Sequence, residues 1–290
     1  MKNPLARILA GCLQLPQADA GLQKLAELLD TPLDELAAAA TNPRLCYRPF
    51  AVRKRDGGKR QIVAPSEPLK RLQRRLLRRY LAQQPLHDAA TAFRPGQSIV
   101  THARRHLGQA IVLTVDLANF FPSTAARRVR RWYREQGWEG AALEVLMRLS
   151  VYRGGLPQGA PTSPALSNLV NRELDEELSE LAGIHSARYS RYCDDLAFSW
   201  ATDVEPPAFR RLVEDRLGRF EYRIQPAKSW RLQRAAERPE ITGLALDGRR
   251  LRLSDRIVQR IRRLRSRRFT GDASLLRQLQ GYWGLRKMLK

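Results

Sequence analysis

The sequence predicts an α/β (α+β) fold in which helices pack on a sheet with an antiparallel centre. Three observations indicate it. The stretch "AIVLTVDLANFFPS", residues 110–123, has the β-branched and aliphatic run of a buried strand. The stretch "SRYCDDLAFS", residues 190–199, is typical of a hairpin. Amphipathic helical patterns lie between and after these two segments, which is the order expected for mixed layers of helix and sheet.

The first 41 residues predict two short helices. Leu22, Leu25 and Leu29 fall on one helical face, and Thr31 followed by Pro32 resembles the capped start of a second helix. We expect this region to support the fold or to contact RNA.

A basic hairpin follows. The stretch "YRPFAVRKRDGGKRQIVAP", which begins at Tyr47, predicts two strands joined by an Asp-Gly-Gly turn with a strongly basic tip. The next segment predicts a helix, because Leu69, Leu72 and Leu76 share one face while arginines occupy the others.

The centre of the chain predicts a strand and two helices. The buried strand ends at Asp116 and the chain turns at Pro122. An arginine-rich helix is predicted over residues 124–135. The stretch "GGLPQGAPTSPALSNLVNRELDEELSEL" then passes from a Gly/Pro loop into one long helix, with Pro164 at an early position. Its inward stripe consists of Leu166, Val170, Leu174 and Leu178.

The elements after the 190–199 hairpin are a helix over residues 206–220 and a strand and turn within "YRIQPAKSWR". The stretch "RIVQRIRRLRSRR", residues 256–268, keeps an apolar stripe of Ile257, Ile261 and Leu264. It therefore predicts a folded basic helix and not a tail.

Charge indicates a polyanionic partner. The 290 residues contain 52 Lys and Arg against 29 Asp and Glu, a net charge of +23. Residues 44–80 carry 13 basic and 2 acidic side chains, and residues 249–290 carry 14 and 2. Two basic blocks that flank a neutral, carboxylate-containing middle favour two walls of a nucleic-acid groove.

Cysteine use and hydropathy indicate the compartment. Cys12, Cys46 and Cys193 show no metal-ligand spacing, which favours a reducing environment. Arg7 leaves the apolar stretch before Cys12 too short for a signal peptide, and no run is long enough to span a membrane. The sequence therefore predicts a cytoplasmic protein without a membrane partner.

Three carboxylates stand out against this basic background. Asp194 and Asp195 lie inside the apolar hairpin, and Asp116 ends the other apolar strand. If the strand pairs beside the hairpin, the three carboxylates converge and repel one another unless cations neutralise them. Two Mg²⁺ ions would do so, and would serve an in-line phosphoryl transfer.

The same residues carry a family resemblance. The ordered set "KRQIVAP", "VDLANFFPS", "LPQGAPTSPALSNL", "YCDD" and "PAKS" resembles the reverse transcriptases, in particular the bacterial retron type, over roughly residues 44–270. The resemblance implies a right-hand polymerase fold. It would comprise an N-terminal helical region (1–43), fingers (44–109), a palm with part of the fingers interleaved (110–240) and a short, helical, basic, RNA-binding thumb (241–290).

The resemblance also assigns roles to residues. Asp116, Asp194 and Asp195 match the catalytic carboxylates of the palm, which would hold the two Mg²⁺ ions, with Mn²⁺ as a substitute. Phe121 resembles the steric gate that excludes a 2′-hydroxyl, and a plain core aromatic is the alternative for this ring. Gln158 resembles the residue that packs near the incoming nucleotide and the template.

Three basic residues resemble contacts to the deoxynucleoside triphosphate. Lys54 and Arg60 match hairpin residues of the fingers, although solvated turn charges are an alternative for both. Lys228 in "PAKS" matches the lysine near the leaving pyrophosphate, where a cation offsets developing charge.

Two further stretches resemble the retron branch. "THARRH", residues 101–106, is similar to an Asn-Ala-x-x-His element, with His102 where Asn is usual and His106 kept. "ITG", around Thr242, is similar to a Val-Thr-Gly element near the thumb. In the family these regions and the thumb recognise a structured noncoding RNA, although a structural histidine is the alternative for His106. The thumb residues expected to contact RNA are Arg256, Arg260 and Arg263.

The leading hypothesis is a retron RNA-directed DNA polymerase. The resemblance implies that a structured noncoding RNA serves as template and supplies a 2′-hydroxyl primer, giving branched RNA–DNA (msDNA) in antiphage defence, with an effector or toxin protein encoded nearby. The alternatives are another bacterial reverse transcriptase, from a defence system or a diversity-generating element, and a catalytically silent RNA-binding scaffold.

Overall fold

The computed structural model describes residues 20–39, 46–53, 58–226, 230–266 and 273–289. The chain divides into two units that are interleaved in sequence. The first comprises residues 1–87 and 119–173, and the second comprises residues 88–118 and 174–290. The four consecutive ranges expected from the sequence remain a prediction.

Groups of helices and groups of strands follow one another along the chain. The helices are α1 (Ala20–Leu29), α2 (Leu33–Ala39), α3 (Glu67–Arg79), α4 (Ile99–Arg104), α5 (Phe120–Ser123), α6 (Ala126–Glu135), α7 (Gly140–Ser150), α8 (Ser163–Val170), α9 (Arg172–Ile184), α10 (Phe209–Arg219), α11 (Asp255–Ser266) and α12 (Ala273–Met288). The strands are β1 (Tyr47–Arg53), β2 (Lys59–Pro65), β3 (Ile111–Asp116), β4 (Arg188–Tyr192), β5 (Asp195–Trp200), β6 (Arg231–Arg234), β7 (Glu240–Ile241), β8 (Leu244–Asp247) and β9 (Arg250–Leu253).

The first unit combines a helical core with the basic hairpin. The predicted stripe of Leu69, Leu72 and Leu76 on α3 is buried, together with apolar residues of α1, α6 and α7. β1 and β2 pair antiparallel, with Arg53 opposite Lys59. The sequence prediction of a hairpin followed by an amphipathic helix is confirmed.

The second unit contains the sheet that carries the candidate site. Its strand order is β4-β5-β3-β6 with antiparallel neighbours, which confirms the predicted antiparallel centre. Leu113 of β3 lies opposite Phe198 of β5, and both are fully buried. Burial of this pair favours the register, because a shift by one residue would turn the apolar side chains of the shifted strand to the other face.

A second, three-stranded antiparallel sheet of order β7-β8-β9 precedes α11 in the same unit. Gly243 has φ +87°, and a Cβ there would lie 2.8 Å from Cδ1 of Ile257 on α11. The glycine of "ITG" thus allows α11 to approach closely. Among the described residues, no helix is long and apolar enough to cross a membrane.

The prediction of one long helix after "LPQG" was wrong. The segment forms two helices, α8 and α9, which are separated at Asn171. Buried Arg128 of α6 donates to the carbonyl of Val170 at 3.1 Å and to Oδ1 of Asn171 at 2.8 Å. These tertiary hydrogen bonds satisfy groups at the end of α8, and nothing in the local apolar pattern encodes them.

Candidate active site

The three aspartates lie on neighbouring backbone of the second unit. Asp116, the last residue of β3, is the antiparallel partner of Asp195, the first residue of β5. Directly opposed residues on antiparallel strands project to the same face, with Cβ atoms about 5 Å apart. Asp194 precedes Asp195 in the two-residue turn that joins β4 to β5. All three residues are half-buried.

Backbone hydrogen bonds hold this arrangement together. The amide of Leu117 donates to the carbonyl of Asp194 at 2.9 Å, and the amide of Gln225 donates to the carbonyl of Asp116 at 2.9 Å. The strand end that bears Asp116 is therefore attached both to the hairpin turn and to the segment before β6.

The donor chemistry fits a hard divalent cation. Within the described ranges, no group of three or more His, Cys, Asp or Glu side chains forms a metal-binding cluster by itself. Mg²⁺ does not require such a cage, because it keeps several waters and is usually bound by one or two carboxylates together with substrate phosphates. The opposed pair of Asp116 and Asp195, with Asp194 in the adjoining turn, offers oxygen ligands of that kind.

Cys193, the other residue of the turn, has φ +61°, in the left-handed region that residues with a Cβ seldom adopt. Burial raises the pKa of its thiol, and the neighbouring Asp194 carboxylate raises the pKa further. The thiol is therefore protonated at neutral pH and adds no negative charge beside the aspartates.

A buried ion pair lies behind the turn, and the sequence reasoning missed it. Arg191 of β4 and Asp175 of α9 are both fully buried, with Nη2 of the arginine 2.6 Å from Oδ2 of the aspartate. Burial acts to lower the pKa of Arg191, but the Asp175 carboxylate outweighs burial, so the pKa is raised and the guanidinium stays charged. Arg191 is one of 52 Lys and Arg in the chain, and no local pattern in the hairpin marked it as buried.

The residues expected to contact the nucleotide belong to the first unit or lie outside the described residues. Phe121 of α5 is half-buried against the helical core, and its ring centroid lies 5.4 Å from that of buried Phe120. Arg60 is exposed on β2. Lys54 and Lys228 both lie outside the described residues.

Gln158 belongs to a loop that is hydrogen-bonded to β2. Its carbonyl accepts from the amide of Val63 at 2.8 Å. The next residue, Gly159, has φ +132°, and a Cβ there would lie 3.0 Å from the carbonyl oxygen of Val63. A cavity of about 270 Å³ adjoins this loop within the first unit, and its lining includes Gln61, Val63, Pro122, Tyr152, Leu156 and Gln158.

The expectation that His106 contacts RNA needs correction, because its ring is fully buried. His106 Nδ1 lies 2.7 Å from Oγ of Ser199, and its Nε2 lies 2.7 Å from Oγ of Ser190. Ser190 also lies 2.9 Å from Nδ1 of His102, which is buried as well. The "THARRH" element therefore packs α4 against β4 and β5, and this ring does not reach a ligand at the surface.

The other expected RNA contacts lie at or near α11. Thr242 is half-buried with φ +47°. Arg256 pairs with Glu240 at 3.0 Å and keeps 77% of its side chain exposed, whereas Arg260 donates to Gln278 at 3.1 Å. Arg263 is exposed.

The buried histidines predict acid sensitivity. The pKa of His102 is lowered to about 3, mainly by burial and in smaller part by the charges of Arg105 and Arg191. Burial also lowers the pKa of His106, with contributions from His102, Arg188 and Arg105. Below about pH 6.5 the histidines of the unfolded chain bind protons, whereas the buried histidines of the folded chain stay neutral. The free energy of unfolding is therefore highest above that pH and decreases as the pH falls towards the pKa values of the folded state.

We expect each histidine to lower the free energy of unfolding by up to about 1.4 kcal/mol for every pH unit below about 6.5. Urea unfolding between pH 7.5 and 5 measures this loss. His106→Gln should have a shallower pH dependence than the wild type, and equal slopes for the two proteins would contradict the prediction.

The chain is similar in sequence to known reverse transcriptases over more than half of its length. The family model described as reverse transcriptase (RNA-dependent DNA polymerase) matches residues 52–246. Retron Mx162 reverse transcriptase of Myxococcus xanthus is 36% identical over 230 residues, which cover 69% of this chain and 47% of the relative. Retron Ec86 reverse transcriptase of Escherichia coli is 37% identical over 155 residues, which cover 53% of this chain and 48% of the relative.

A third similar protein is Retron Mx65 reverse transcriptase of Myxococcus xanthus, 37% identical over 219 residues, or 69% of this chain and 51% of the relative. The chain spans about half the length of these curated relatives. The matched range contains β3, the hairpin turn and all three aspartates. The chain therefore belongs to the reverse transcriptase family and is similar to retron members of it.

Proposed function

We propose that this protein is the RNA-directed DNA polymerase of a retron. The observation that carries the proposal is the in-register pair of Asp116 and Asp195, with Asp194 in the adjoining turn, inside the range that matches the family. The similarity to retron reverse transcriptases supports the narrower assignment. In this proposal a structured noncoding RNA is the template and supplies a 2′-hydroxyl primer, and the product is branched RNA–DNA.

The aspartates would hold Mg²⁺, with Mn²⁺ as a substitute. When bound, the ions would neutralise the triphosphate and stabilise the attacking and leaving oxygens. The protein would keep the carboxylates on one face through the register of β3 with β5 and through the Leu117–Asp194 backbone hydrogen bond. The second unit would act as the palm.

The first unit would act as the fingers and bind the nucleotide. Lys54 and Arg60 of the basic hairpin would contact the triphosphate, and Gln158 would pack near the base. Lys228 would offset charge on the leaving pyrophosphate.

The basic C-terminal region would act as the thumb and grip RNA through its backbone and shape. Two arginines of α11 are suited to this role, because Arg256 and Arg263 present exposed side chains. Thr242 and Arg260 would support the same surface. We propose that an effector or toxin protein encoded nearby completes an antiphage system.

The nucleic acid that co-purifies with the protein tests the proposal. The protein is expressed with its native upstream region, and the recovered nucleic acid is deproteinised, digested separately with RNase and DNase, and run on a denaturing gel. One species that loses mass to both enzymes is the expected result, since it contains covalently joined RNA and DNA. Recovery of RNA alone would overturn the retron assignment, and primer extension with Mg²⁺ would then separate another reverse transcriptase from a binding scaffold.

Sugar selection provides a prediction for Phe121. If its half-buried ring packs under the sugar, Phe121→Ala will admit a 2′-hydroxyl and reduce the preference for dNTP over rNTP by about 10- to 100-fold. The ratio of kcat/KM for dTTP and UTP on one primer-template measures this preference. Phe120→Leu is the matched control, because Phe120 is the neighbouring buried ring and should leave the ratio unchanged.

A further inference from the structure

The buried Arg191–Asp175 pair forms a forked contact within the second unit. Nε of Arg191 donates to Oδ1 of Asp175 at 2.8 Å, and Nη2 donates to Oδ2 at 2.6 Å. The hydroxyl of Tyr189 also donates to Oδ1 of Asp175, at 2.9 Å. Removing two charges from water costs free energy that largely offsets their attraction. Stabilisation of the fold alone therefore does not explain a buried pair of this kind.

The third nitrogen of the guanidinium reaches the candidate active site. Nη1 of Arg191 donates to the carbonyl of Cys193 at 3.3 Å. Cys193 has φ +61°, a conformation in which its Cβ crowds the following carbonyl oxygen. The contact therefore falls on the strained residue of the turn that presents Asp194 and Asp195.

The main chain of Arg191 is held as firmly as its side chain. Its amide donates to the carbonyl of Ala89 at 2.8 Å. Its carbonyl accepts from the amide of Thr91 at 2.9 Å and from the Thr91 hydroxyl at 2.9 Å. With the backbone and the fork both fixed, the remaining nitrogen is a rigid donor aimed at the turn.

We propose that Arg191 is a positioning residue: it ties the Cys193 carbonyl to Asp175 of α9 and so holds the turn in the conformation that presents Asp194 and Asp195. The proposal rests on the proposed polymerase function only for its kinetic consequence. Lysine cannot replace arginine here, because a compact ammonium lacks the planar fork that serves both carboxylate oxygens and the carbonyl together.

Arg191→Lys tests the proposal, with Tyr189→Phe as the matched control. The control removes one hydrogen bond to Asp175 and leaves the three guanidinium contacts. We expect Arg191→Lys to increase hydrogen exchange of the amides in residues 192–195 by at least about 10-fold, with little change in β3. We also expect kcat for DNA synthesis to fall by roughly 10²-fold with KM for dNTP within about 2-fold, because the carboxylates are misplaced while substrate binding remains. Tyr189→Phe should stay within about 3-fold of the wild type in both measurements.

A second substitution tests the strained residue itself. Glycine adopts the left-handed region readily, so Cys193→Gly in the Arg191→Lys background should recover at least about 10-fold of the lost kcat. Failure of this rescue, wild-type exchange at the turn in Arg191→Lys, or an equal loss in Tyr189→Phe would overturn the proposal.

Folding and function are separated by the same set of proteins. If Arg191→Lys does not unfold cooperatively, Asp175→Asn is used in the same measurements. Asparagine keeps the shape of the Asp175 side chain but lacks the charge that pairs with Arg191. If neither variant folds, the pair serves folding and the positioning role is wrong. Hydrogen exchange does not require synthesis, so an inactive wild type would refute the proposed function while the exchange comparison still decides the role of Arg191.

Discussion

Asp194→Asn is expected to reduce DNA synthesis by at least about 10³-fold while RNA binding stays unchanged or becomes tighter. Loss of a metal-ligating carboxylate removes several kcal/mol of charge stabilisation from the transition state. Loss of one negative charge beside a phosphate backbone does not weaken RNA binding and reduces repulsion. Asparagine keeps the size of the side chain, so the change tests charge and ligation and leaves packing intact.

Primer extension with Mg²⁺ measures synthesis, and filter binding of the co-purifying RNA measures affinity. Asp194→Ala should give the same loss, because the carboxylate is absent in both variants. Asp215→Asn is the matched control, since Asp215 is an exposed aspartate on α10 and undergoes the same change of charge. Synthesis near the wild-type rate in Asp194→Asn would refute the assignment of that residue.

Gly155→Ala is expected to destabilise the first unit by about 3 kcal/mol or more. A Cβ at Gly155 would lie 2.1 Å from the carbonyl oxygen of Pro122, and backbone atoms cannot rotate away as a side chain can. The next residue, Leu156, donates its amide to the carbonyl of Phe121 at 3.2 Å. Displacement of this backbone would therefore also move the proposed steric gate.

The adjacent glycine gives a close control for Gly155. Gly154 has φ +85°, and a Cβ there would meet no atom within 4 Å, so Gly154→Ala should cost only about 1–2 kcal/mol of backbone strain. Urea unfolding of both variants measures the difference. A smaller loss for Gly155→Ala than for Gly154→Ala would contradict the close approach of Gly155 to Pro122.

Local patterns in the sequence predicted most of the elements that position the site. The apolar run before Asp116 predicted a strand and the stretch around Asp194 and Asp195 predicted a hairpin, and the structure contains β3 as the antiparallel neighbour of the β4–β5 hairpin. The stripe of Leu69, Leu72 and Leu76 predicted the buried face of α3. These predictions hold because strand and helix periodicities depend on residues a few positions apart.

The three aspartates were proposed as metal ligands from residue type and order, whereas their register depends on the fold. Asp116 and Asp195 are 79 positions apart in sequence and become partners only when β3 pairs with β5. Burial of residues such as Leu113 and Phe198 selects this register, and that burial is a property of the assembled sheet.

The sequence by itself determined the polymerase motifs, the two basic blocks and the elements that carry the aspartates. Only the tertiary structure decided that His106 is buried between two serines and that Arg191 pairs with Asp175 behind the turn. In a chain with 52 basic residues, one buried arginine has no local signature. Its role depends on a carboxylate 16 positions away, which packing of α9 against the sheet brings within hydrogen-bonding distance.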